Sequence, residues 1–281
     1  MKTHSTKSKH TLLVLMDKSK ASYTALTNAV NLAKLIDASI DILQVRSPTS
    51  VVRYENQIAS MRAIDEDRTK QKKELKDIVR LISEEENLPI ISNFTFGNIK
   101  NEIKNHIEKT KPDIIVLGKR KRKVVNFLGD GITADLLKTH NGGILISGNK
   151  EAFTSYNTKS IGFLNNSSDI EKIAIANDLK KLNNKPLKIF KMSQDGVLET
   201  KKIGVEKMNN QEVDKNNIVY EFDSKSDTAN AMTNFIMKNN LALLFVNNKE
   251  TNDRSLLSRL NNTLTKTIEK TNIPILILNS K

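Results

Sequence analysis

The chain has 281 residues, nearly twice the length of an average domain, so two domains are favoured over one. It contains no cysteine, which excludes disulfides and thiolate chemistry, and its apolar runs of about six residues fall far below the roughly 20 that span a bilayer. A net charge of +13 favours anionic partners, whereas the absence of tryptophan and an aromatic content of 5% disfavour direct nucleic-acid binding. Together these features predict a cytoplasmic protein that has no membrane partner.

The first half of the sequence alternates between short apolar runs and amphipathic stretches. Residues 11–16 (TLLVLM) have no polar alternation, which is typical of a buried strand in a parallel sheet. Ala25, Ala29 and Ala33 recur at helical spacing, which predicts a helix that packs closely on that sheet. Residues 65–74 include no apolar side chain, so we expect this part of a long helix to protrude into solvent. The predicted strands are 11–16, 39–45, 89–96, 113–117 and 144–147, and the predicted helices are 20–36, 57–87, 98–110 and 132–139.

The same alternation starts again near residue 160, after a linker predicted at 149–159. Strands that alternate with helices imply a doubly wound parallel sheet. We therefore predict an α/β fold with two domains, 1–150 and 151–281, each a mostly parallel five-stranded sheet with helices on both faces. In the second half the predicted strands are 160–164, 187–192, 218–222, 241–246 and 273–278, and the predicted helices are 171–182, 228–238 and one with Leu257, Leu260, Leu264 and Ile268 on one face.

Two segments of the first half resemble the universal stress protein family. Residues 12–45 are similar to the opening strand, turn, alanine-rich helix and second strand of that family, and residues 96–120 to its third helix and fourth strand. The resemblance implies a flavodoxin-like, adenine-nucleotide-hydrolase-like fold in both halves. It also implies that Asp17 contacts the ribose and Val45 the base of ATP or another adenine nucleotide.

The loop after the fourth predicted strand is similar to the family's phosphate loop, Gly-x2-Gly-x9-Gly-Ser/Thr. Gly118 and Gly131 occupy its first and third glycine positions, whereas Lys121 replaces the second glycine and Ile132 replaces the hydroxyl residue. Thr133 follows one position late. Backbone amides at such a loop and helix start would hold the phosphates. These departures imply a weakened nucleotide site in the first half. The second half has Asn165 in place of the aspartate and no glycine loop, so no nucleotide is expected there.

Five cations stand together at 119–123, beginning with Lys119, Arg120 and Lys121. Their mutual repulsion gives no stability, so they form either an anion cradle beside the predicted site or a solvated loop. The first 150 residues hold 26 Lys and Arg against 17 Asp and Glu, which places most of the positive charge in the same half.

No catalytic or metal site is predicted. The four histidines lack ligand spacing, and the sequence has no P-loop and no nucleophile elbow. We therefore expect a non-catalytic stress-response or regulatory protein. Two alternatives stay open: a nucleotide-independent interaction module whose basic face docks an acidic protein, and a slow ATP hydrolase. Pairing of the two final strands would make the chain an intramolecular pseudo-dimer, and a homodimer could form as well.

Overall fold

The computed structural model describes residues 8–51, 56–119, 131–148, 153, 156–164, 174–183, 185–193, 217–223, 228–239, 241–247, 267–268 and 270–278. The chain divides into two compact units, Met1–Gly118 and Lys119–Lys281. The strands are β1 (His10–Met16), β2 (Ala38–Arg46), β3 (Ile90–Phe96), β4 (Ile114–Gly118), β5 (Gly143–Ser147), β6 (Ser160–Leu164), β7 (Leu187–Ser193), β8 (Asn217–Asp223), β9 (Leu241–Asn247) and β10 (Ile275–Leu278). The helices are α1 (Lys20–Ile36), α2 (Gln57–Glu86), α3 (Ile99–Thr110), α4 (Ile132–Thr139), α5 (Ala174–Lys181) and α6 (Thr228–Lys238).

The first unit contains four parallel strands in the order β3-β2-β1-β4. Strand β1 lies inside the sheet, where Leu12, Leu13 and Val14 are fully buried. Its continuous apolar run is explained by neighbours on both edges and cover on both faces. Helix α1 turns Ala25, Ala29 and other small residues toward the sheet, as their spacing predicted.

Helices α2 and α3 lie on opposite faces of this sheet. Asp41 of β2 bonds to His106 of α3, and Gln44 of β2 bonds to Gln71 of α2. Side chains three positions apart on a strand point to opposite faces, so the two helices cover different sides. This sheet with helices on both faces confirms the predicted α/β class.

The second unit contains the strands β5-β10-β9-β6-β7-β8, in that order. The pairs in this unit are parallel except β10 with β5, which is antiparallel and sets Ile275 opposite Ile146. The strands β6, β7, β8 and β9 are arranged like β1, β2, β3 and β4: in each set the first strand lies between the second and the fourth, and the third lies beyond the second. The apolar side chains of this sheet meet those of α6 in a buried cluster that includes Phe190, Met232 and Ile236.

Strand β5 belongs by packing to the second unit because of its pairing with β10. The last strands of the two halves therefore pair within the chain. The predicted domains, 1–150 and 151–281, follow the repeat in the sequence and stay a prediction. Asn165 and the predicted helical face at Leu257, Leu260 and Leu264 lie outside the described residues.

The predicted linker over 149–159 contains a buried anchor. Tyr156 is 2% exposed, and its hydroxyl donates to the carbonyl of Leu179 on α5 at 2.6 Å. Asn183 donates its amide group to the carbonyls of Tyr156 and Lys159, both at 2.9 Å. Burial raises the pKa of the Tyr156 phenol well above its ordinary value, so the hydroxyl stays a hydrogen-bond donor. Residues 156–159 of this segment are thus packed into the second unit.

We expect Tyr156→Phe to destabilise the protein by about 1–2 kcal/mol, because the buried Leu179 carbonyl loses its donor while the ring stays in place. Urea unfolding followed by circular dichroism measures the change. Tyr23→Phe is the matched control, since Tyr23 is 39% exposed, and we expect a shift within about 0.5 kcal/mol. Equal stability of the Tyr156 variant and the wild type would contradict the anchor.

Candidate nucleotide site at the strand ends

The candidate site of the first unit lies where β1, β2 and β4 end. In the order β3-β2-β1-β4, the strands β2 and β3 lie on one side of β1 and β4 lies on the other, so the order in which strands are added reverses between β1 and β4. Ligands of open α/β sheets bind outside the carboxyl ends of the strands at such a switch point. Asp17 directly follows β1, Val45 is the penultimate residue of β2, and Gly118 ends β4. The fold therefore brings these three sequence-predicted residues to one edge.

Asp17 begins the turn that leads into α1. Its carboxylate Oδ1 accepts a hydrogen bond from the Ser19 backbone N–H at 2.9 Å. Ser19 caps the helix, since its side-chain oxygen accepts from the Ser22 N–H at 3.2 Å. Lys18, between them, has a positive φ of 60°, which lets the chain turn sharply. Asp17 is exposed, so its carboxylate is accessible to a ligand at the strand end.

Gly118 is required by packing inside the first unit. A Cβ atom at this position would lie 2.5 Å from the backbone carbon and oxygen of Ala21 and 2.8 Å from the nitrogen of Ser22. The end of β4 therefore touches the first turn of α1, an approach that only glycine permits. The resemblance assigned Gly118 to the phosphate loop. The structure shows that close packing against α1 also requires glycine at this position.

Val45 is half-buried and has a polar residue on either side. Gln44 is 2% exposed and donates from Nε2 to Oε1 of Gln71 at 3.1 Å. Arg46 binds Asp67 with its Nη1 at 2.9 Å and 2.7 Å from the two carboxylate oxygens. Both partners belong to α2, so this helix forms a wall beside the end of β2.

The expected protrusion of residues 65–74 is wrong. Gln71 in this segment is 6% exposed, Asp67 binds Arg46, and Glu74 pairs with Lys18. The segment docks on the first unit through polar side chains, which a search for an apolar stripe does not detect. Its hydrogen bond with Lys18 holds the pKa of Glu74 below the ordinary value of 4.5. The Glu74–Lys18 pair therefore stabilises the folded chain at pH values above the ordinary pKa of Glu74. This stabilisation is lost as the pH falls through the lowered pKa.

The other sequence-predicted residues belong to the second unit. Gly131 caps the start of α4 with φ 81° and ψ −39°, a conformation that favours glycine, and it offers no side-chain oxygen to the helix amides. Ile132 and Thr133 form the first turn of α4 and are half-buried. Lys119 donates its Nζ to the carbonyl of Thr271 at 2.6 Å. Arg120 and Lys121, with the rest of the basic run, lie outside the described residues.

Sequence reasoning missed a buried acid–histidine pair in the first unit. The Asp41 carboxylate is 2% exposed; Oδ2 lies 2.6 Å from His106 Nε2, and Oδ1 accepts from the Asn93 amide at 3.0 Å. The available signal was a lone acid within the apolar strand run SIDILQV. Its partners lie 52 and 65 positions away, so the pairing could be recognised only in the folded chain.

Within the described ranges, no three histidine, cysteine, aspartate or glutamate side chains gather closely enough to hold a metal ion. Among the helices that the structure describes, none has the length and apolar character needed to cross a bilayer.

The fold and this edge define an open α/β protein with a switch point in its sheet. The sequence model described as the universal stress protein family matches residues 9–138. Residues 9–138 are thus similar to the universal stress protein family, and the predicted resemblance is confirmed. A comparison with curated proteins finds no matching sequence.

Solved structures extend the likeness in fold to nearly the whole chain. A universal stress protein from Archaeoglobus fulgidus DSM 4304 is 16% identical, covers 96% of both chains and gives a TM-score of 0.68. A functionally unknown protein from Pseudomonas aeruginosa PAO1 is 12% identical, covers 96% of this chain and 92% of its own, and gives a TM-score of 0.61. At these identities the likeness establishes the fold alone.

We expect Gly118→Ala to destabilise the first unit by about 2 kcal/mol or more, because the methyl group would overlap the Ala21 backbone. Gly97→Ala is the matched control, since a Cβ there meets the end of the flexible Glu102 side chain, which can move. Thermal unfolding of both variants measures the difference. Similar melting temperatures for the two would contradict the close approach.

Proposed function

We propose that the chain is a non-catalytic stress-response or regulatory protein of the cytoplasm, whose first half binds an adenine nucleotide at the ends of β1, β2 and β4. One observation carries this proposal: Asp17, Val45 and Gly118 lie together at the carboxyl edge beside the switch point. The match of residues 9–138 to the model of the universal stress protein family supports it.

Each residue would act on a different part of the ligand. The exposed Asp17 carboxylate is an acceptor for ribose hydroxyls, and the half-buried Val45 supplies an apolar surface for the base. Ile132 replaces the hydroxyl residue of the resembled phosphate loop, so we expect weaker binding than the complete motif would give.

Calorimetry of the full chain with AMP, ADP and ATP tests the proposal. We expect measurable heat, and we expect Asp17→Ala to raise the Kd for AMP about tenfold, since a charged acceptor to the ribose is worth about 1.5 kcal/mol or more. Samples incubated with ATP and magnesium should release no more phosphate than a heat-killed control.

Asp113→Ala is the matched control for the aspartate. Its carboxylate also accepts a backbone hydrogen bond, from Thr11 at 2.8 Å, but at the opposite edge of the same sheet. We expect this variant to bind AMP like the wild type. No heat with any of the three nucleotides at millimolar concentration, or equal Kd values for the two variants, would overturn the proposed site.

A further inference from the structure

Helix α2 buries few side chains completely against the first unit. Of its 30 residues, only Gln71 and Leu75 are buried, and Leu75 is the single apolar one. Ion pairs join Glu74 to Lys18, Asp67 to Arg46 and Glu86 to Lys34. A helix that has one fully buried apolar side chain, half-buried ones such as Ile78 and Ile82, and a few polar bonds opens at a lower free energy than the core beneath it.

Two of these attachments involve residues directly adjacent to the proposed ligand contacts. Lys18 follows Asp17 and pairs with Glu74, while Arg46 follows Val45 and pairs with Asp67. Lys18 also holds the positive-φ position of the Asp17 turn. The backbone that presents Asp17 and Val45 is therefore held in part by α2.

The network contains one acceptor for which the described residues provide no partner. Oε1 of Gln44 is buried and receives no hydrogen bond, although the Nε2 of the same side chain is bonded to Gln71. A buried acceptor in this state costs free energy in the docked arrangement. The attachment of α2 beside Val45 is thus incompletely satisfied, which favours opening of this middle part of the helix.

We propose that Lys18 and Arg46 are positioning residues that couple docking of α2 to nucleotide binding at Asp17 and Val45. This inference rests on the proposed function. A ligand that orders the ends of β1 and β2 favours the docked helix, and by thermodynamic linkage the docked helix raises the affinity for the ligand by the same factor.

Calorimetry and hydrogen exchange of the full chain with AMP test the coupling. We expect Glu74→Gln and Asp67→Asn each to raise the Kd for AMP by roughly fivefold, the lower end of typical coupling factors. In the wild type, AMP should slow amide exchange in residues 66–76. Because Lys18 acts through Glu74, the double variant Lys18→Gln/Glu74→Gln should bind AMP no more weakly than Glu74→Gln alone.

Glu86→Gln is the matched control, since it removes the ion pair to Lys34, near the carboxyl end of α1 and away from the candidate site. We expect its Kd for AMP to equal that of the wild type. Unchanged Kd values for both Glu74→Gln and Asp67→Asn, or an equal effect of Glu86→Gln, would overturn the coupling while leaving the nucleotide site in place. If the wild type binds no AMP, the proposed function fails, and the coupling fails with it.

Discussion

The contact between Gly118 and the first turn of α1 is the constraint on which the candidate site depends. Because β4 ends without a side chain, its last residue can lie against the backbone of Ala21 and Ser22. This contact sets the start of α1 beside the end of β4, and the Asp17 turn is the segment that joins β1 to that helix. A larger residue would separate the helix from the strand and change the edge at which a ligand is proposed to bind.

In the first unit, helices α1 and α2 are attached to the sheet by different kinds of contact. Helix α1 buries many apolar residues against the sheet, whereas α2 fully buries only Leu75 among its apolar residues and adds ion pairs and a glutamine pair. Burial of apolar area contributes to stability in proportion to the area removed from water, whereas ion pairs near the protein surface contribute about 1 kcal/mol or less. The sheet and α1 therefore form the more stable part of the unit, and α2 is the element that we propose responds to a ligand.

Much of the fold could be predicted from the sequence because individual strands and helices are specified by residues close together in the chain. The continuous run TLLVLM and the alanine spacing of α1 specify a buried strand and a closely packed helix without knowledge of partners. The polar docking of residues 65–74 could not be predicted, because Asp67 and Arg46 recognise each other only after folding. The same holds for Asp41 with His106. For Gly118, the motif identified the residue, but the approach to Ala21 was visible only in three dimensions.

An amide NMR titration of the full chain with AMP tests the central claim most directly, because it reports every backbone position at once. Binding at the strand ends predicts the largest shift changes at residues 17–19, 44–46 and 118, saturating together with one Kd. Saturable changes that spare these positions and fall only in the second unit would contradict the account.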